Sequence, residues 1–166
     1  MYLGQLQNEL FMSRPTRQQL LDWRVFLESA WALIDILDAE LQSERKLTLV
    51  WYDALVHLEE ATDGLGMTDL ANRILASKSG LTRVIDRMEA EGLVRRERPP
   101  EDRRVVKVLI TPTGLKTLQA ARDVHHRGIQ EHFVEHLNPR ELAALTAALE
   151  NVRDHVRPLR PGRVSG

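Results

Sequence analysis

A mainly α chain with one small β-hairpin is predicted by three observations. Apolar residues recur at helical spacing over both ends, from about Thr16 to Ser43 and again beyond Pro112. Between them, two short helical stretches meet at the turn Ala76-Ser77-Lys78-Ser79-Gly80. A β-branched segment folded about Pro99-Pro100 follows at once. The 166 residues suit one domain with a real core.

The elements follow in order. Residues 1–15 form a weakly patterned N-terminal extension, expected to be disordered, and Met12 is an alternative start. Leu20, Trp23, Leu27, Ala30, Ile34, Leu37 and Leu41 form a three-four stripe on the first helix. Phe26, Trp31, Leu33 and Ile36 add a second apolar face, so this helix has two partners, for instance its own domain and a second subunit; a single well-buried core helix is the alternative. Thr48 caps a second helix to about Glu59. Asp63-Gly64-Leu65-Gly66 breaks the pattern, and Thr68 caps a short helix over Asp69–Leu75. Ser77 caps the next, which runs to Glu91 and ends at Gly92. Leu93–Arg98 and Val105–Ile110 are the hairpin strands, with a projecting tip at Pro99–Asp102. Thr111-Pro112 opens a helix to about His136, and Asn138-Pro139-Arg140-Glu141 opens the last one. Residues 158–166 read as a disordered Pro/Gly/Arg tail.

Composition excludes several functions. The absence of cysteine removes disulfide scaffolds, thiolate nucleophiles, thiolate metal sites and cysteine redox switches. No run of about 18 apolar residues and no secretory signal appears, so a cytoplasmic protein without membrane partners is expected. The formal net charge is −1, so any nucleic-acid role needs a local basic patch. Residues 67–111 supply one, with ten basic residues against seven acidic ones.

Two helices, a tight turn and a hairpin make a winged helix-turn-helix, here residues 47–111. Its second helix, 77–91, turns Leu81, Val84, Ile85 and Met88 inward and presents Ser77, Lys78, Ser79, Thr82, Arg83 and Arg87. Arg83 can reach a guanine edge in the major groove, while Lys78, Ser79 and Thr82 suit phosphate or water-mediated contact. In the wing, 98–105, Arg103 and Arg104 divide between minor-groove contact and structure, with Asp86 the expected partner of Arg104.

The runs Met67-Thr68-Asp69-Leu70-Ala71, Ser77 to Val94, Asp102-Arg103-Arg104 and Leu109-Ile110-Thr111-Pro112-Thr113-Gly114 resemble the MarR family of bacterial transcription regulators over residues 20–157. The resemblance implies a single domain over 16–157, with a helical dimerisation lobe from 16–46 and 112–157. It also implies a homodimer on a palindromic double-stranded operator, repressing it in response to a small-molecule effector, and no required cofactor. Trp23, Trp31, Tyr52, His57 and Lys116 are the candidate effector contacts. Zinc or pH sensing is an alternative, through His125, His132 and His136 on the helix after Pro112. That helix departs from zinc-sensing relatives, with Ala121 in place of a ligand and Asp53 near where a histidine is needed. Polar packing at an interface is the plainer role for these histidines. A metal hydrolase on the same histidines lacks HExxH, a nucleophile triad or a phosphate loop, so no enzyme is expected. A protein-binding winged helix is disfavoured by the exposed wing arginines.

Overall fold

The computed structural model describes residues 14–74, 78–99 and 105–156, with the side chains of 78 and 79 outside that description. Residues 1–13 of the expected extension, the expected tail 158–166, Ser77 and residues 100–102 of the expected hairpin tip lie outside the described residues. The chain divides into two compact units, residues 1–35 and 36–166.

Helix α1 spans Arg17–Arg45, and its first part makes up the described portion of the first unit. Leu20, Trp23, Phe26, Trp31 and Ile34 are all exposed, and only Leu41 along the whole helix is buried. Among the described residues, both apolar faces anticipated there include exposed side chains.

Helix α2, Leu49–Glu60, starts where Thr48 accepts the Trp51 N–H at 3.2 Å. Strand β1, Leu65–Gly66, leads straight into α3, Met67–Arg73. Both differ from expectation. A two-residue strand carries no periodic signal, and Gly66, not Thr68, occupies the N-cap. Pairing of Leu65 with Val108 delivers the chain to the helix two residues early. Helix α4 is Lys78–Ala90, and strands β2 (Val94–Glu97) and β3 (Lys107–Ile110) complete an antiparallel sheet of order β1-β3-β2.

Gly92 ends α4 as expected, with φ +70°. Its N–H bonds Glu89 O at 2.9 Å and the Leu93 N–H bonds Met88 O at 2.9 Å, the paired bonds of a Schellman turn. Helix α5, Pro112–His132, is capped by Thr111, whose hydroxyl accepts the Gly114 N–H at 3.0 Å. It ends at His132, and His136 lies beyond Phe133 in a separate 3₁₀ turn, Val134–His136. The continuous helix to His136 is thus corrected: the apolar pattern persists while the backbone tightens. Helix α6, Pro139–Val156, opens on a capping box in which Asn138 Oδ1 accepts the Arg140 and Glu141 N–H groups and Glu141 returns to the Asn138 N–H. None of its residues is buried.

The core of the second unit joins Leu41, Leu55, Leu58, Leu70, Ile74, Leu81, Ile85, Met88, Val94, Val108 and Leu118, all nearly inaccessible. It draws on α1, α2, α3, α4, the sheet and α5, so the helix-turn-helix and its wing share one packed centre. Among the described glycines, Gly114 makes the closest approach: a Cβ there would collide with the Leu93 carbonyl oxygen. Thr111 reinforces the same junction by donating its hydroxyl to Gly92 O at 2.6 Å.

Candidate nucleic-acid interface

Helix α4 owes its orientation to a simple division of sides. Leu81, Ile85 and Met88 are buried at helical spacing, which turns Thr82, Arg83, Asp86 and Arg87 to solvent. Arg83 and Arg87 are four residues apart on this outer face, and neither has an ion-pair partner among the described residues. Lys78 and Ser79 lie in the first turn of the helix, where unpaired backbone N–H groups favour an anion. Ser77, Arg103 and Arg104 lie outside the described residues, and so does the expected Asp86–Arg104 pair.

The partner that Asp86 does have comes from β2. Arg96 Nη2 donates to Asp86 Oδ1 at 2.6 Å and Nη1 to Glu89 Oε2 at 2.5 Å. The Arg96 backbone N–H donates to Glu89 Oε1 at 2.9 Å. Burial pulls the guanidinium pKa down, and the bonds to Asp86 and Glu89 outweigh it, so the group sits above its ordinary value. Neither Arg96 nor Glu89 is singled out by sequence reasoning. A signal exists: Asp86 and Glu89 stand one turn apart, and the glycine turn folds the next strand back beside them. Arg95 pairs instead with Glu97, while Arg98 just beyond β2 is exposed.

The candidate effector residues fall in both units. Trp23 and Trp31 lie on α1 in the first unit, near Arg17, Leu20, Arg24, Leu27 and Glu28. In the second unit, Tyr52 stacks on His125 with ring centroids 4.3 Å apart. Burial raises the Tyr52 pKa, with Arg122 opposing. His57 lies near Asp53 and Glu60 on α2, at 3.6 and 3.7 Å. Lys116 is exposed on α5, nine residues before His125.

The structure does not bring the histidine trio together. Among the described residues, the donors close enough to share a cation are Glu40, Glu131 and His132, without His125 or His136. His132 Nε2 is bonded to Glu40 at 2.7 Å, His125 faces Tyr52, and His136 sits past the helix end. Burial lowers the His125 pKa, and neighbouring His126 adds to it, with Asp53 opposing. No described helix is long and apolar enough to cross a membrane.

A two-helix reader with a basic outer face, backed by a three-stranded wing, defines a winged helix-turn-helix DNA-binding protein. The comparisons sharpen that class. The MarR family profile matches residues 46–105. AbsC, a MarR family transcriptional regulator from Streptomyces coelicolor, is 35% identical, with a TM-score of 0.80 over 89% of this chain and 99% of that one. Sco3205, from the same organism and solved in complex with DNA, is 30% identical, with a TM-score of 0.82 over 91% of this chain and 96% of its own. YfiV of Bacillus subtilis (strain 168), an HTH-type transcriptional regulator, is 33% identical over 96 residues, and this chain spans 59% of its length. The chain belongs to the MarR family of DNA-binding transcription regulators.

Proposed function

We propose that the protein is a homodimeric, ligand-responsive repressor. Each subunit places the helix 77–91 in a major groove of a palindromic operator, with the wing 98–105 alongside. The observation that carries this reading is the outer face of α4. Its buried side is fixed by Leu81, Ile85 and Met88, so Arg83 and Arg87 have no direction but outward. Base-edge contact belongs to Arg83, phosphate contact to Lys78, Ser79 and Thr82, and the lobe 16–46 with 112–157 supplies the dimer contact.

Dimerisation is supported by apolar surface. Leu20, Trp23, Phe26, Trp31 and Ile34 on α1, and Leu149, Val152 and Val156 on α6, are all exposed. That much uncovered apolar side chain marks a protein–protein face. Two supports come from similar proteins. IacR of Pseudomonas putida, 29% identical over 93 residues, is an HTH-type transcriptional repressor. BpsR of Bordetella bronchiseptica, 23% identical with a TM-score of 0.70, has its DNA binding regulated by 6-hydroxynicotinic acid.

The test is fluorescence anisotropy on the duplex upstream of the protein's own gene, against a scrambled duplex, over increasing salt. Selective binding that weakens steeply with salt supports the reading, because phosphate contacts release counterions. If neither this duplex nor any member of a randomised pool is selected, the operator-binding reading fails.

A further inference from the structure

The guanidinium of Arg96 is committed to the recognition helix. One planar fork engages Asp86 and Glu89, and the backbone N–H of the same residue engages Glu89 again. The two carboxylates stand three residues apart on α4, near enough for a single arginine to hold both. The side chains of Arg96, Glu89 and Asp86 are 26%, 38% and 55% exposed. A lone ion pair at such exposure adds little to stability. A fork joined to two carboxylates and a backbone bond sets a direction instead, and here it ties β2 to α4.

We infer that Arg96 is a positioning residue for DNA binding: it locks the wing strand β2 to the outer edge of the recognition helix. Arg83 and Arg87 on α4 and Arg98 beyond β2 then meet a duplex as one preformed surface. The inference rests on the DNA-binding reading above, and it assigns Asp86 and Glu89 a role opposite to their charge. Two carboxylates beside a DNA-reading face repel phosphate. Their presence aids binding only by holding Arg96.

This sign reversal supplies the experiment. Arg96→Gln, Arg96→Lys and the double variant Asp86→Ala/Glu89→Ala are compared with the wild-type chain on a random-sequence duplex pool across a salt series. Arg96→Gln and the double variant are both expected to bind about tenfold more weakly. Their log-log salt slopes should flatten by about 0.9 for each phosphate that is no longer neutralised. Arg96→Lys, which reaches one carboxylate at a time, falls between. A loss of global stability alone lowers the active fraction but leaves the slope unchanged. Amide hydrogen exchange without DNA is read in parallel, and faster exchange in β2 and β3 with α2 and α5 unchanged is expected. If the double variant binds as tightly as wild type or tighter, Arg96 is an ordinary surface cation and the inference is overturned. Unchanged exchange in β2 and β3 overturns it equally. If the wild-type chain binds no duplex, the DNA-binding reading falls, and hydrogen exchange still reports whether the clamp exists.

Discussion

Arg83 and Arg87 share a face of α4, yet their substitutions should separate. Arg83→Ala is expected to weaken operator binding by about 1–3 kcal/mol and relax base preference at one position in each half-site. Arg87→Ala should weaken all duplexes alike, because a phosphate contact carries no sequence information. Binding to a set of singly substituted duplexes distinguishes the two patterns. His125 makes a prediction about pH. Its pKa is lowered from 6.5 in the fold, chiefly by burial, so folding favours the neutral form. The unfolded chain takes up a proton near pH 6.5 and the folded chain only at lower pH. Stability is therefore complete above about pH 6.5 and declines as the pH falls through the depressed value. The melting temperature of the wild-type chain should drop more steeply on acidification than that of His125→Phe, and parallel curves would refute the assignment.

Elements whose ends are written in local chemistry were legible in the sequence. Thr48, Thr111 and the Asn138–Glu141 box cap the helices expected of them, and Gly92 closes α4 with the left-handed turn only glycine adopts freely. Asn138→Ala should cost about 1 kcal/mol of stability, measured by denaturant unfolding. The misread elements lack such signals. Strand β1 exists because Val108 and Lys107 pair with it, a contact more than forty residues away in sequence. The end of α5 was placed too late because Phe133 and Val134 continue the apolar pattern through the 3₁₀ turn. The candidate interface was legible where amphipathicity decides it, as at Arg83 and Arg87. It was not legible at Arg96, where only the folded approach of β2 to α4 pairs the charges.

At the scale of the whole molecule, the uncovered apolar faces of α1 and α6 predict association. Trp31→Glu and Val152→Glu, each placing a charge on an exposed apolar face, should shift the chain toward monomer in sedimentation experiments. Operator affinity should fall with them, because two half-sites one helical turn apart need two linked readers. A dimer that persists in both variants would place the subunit interface elsewhere. The Gly114 junction also belongs to this scale. Gly114→Ala forces a methyl group against the Leu93 carbonyl and should lower stability by about 1–3 kcal/mol. Its mechanical meaning is larger. With no side chain between them, and with Thr111 hooked to Gly92, the first turn of α5 and the root of the wing are one joint. A 21-residue helix is a lever about 30 Å long, so a tilt of about 5° moves one end by about 2.5 Å relative to the other. The Tyr52–His125 stack sits part-way along that lever. A displacement there is expected to reach the wing, because Gly114 leaves no side chain between α5 and Leu93 to absorb it.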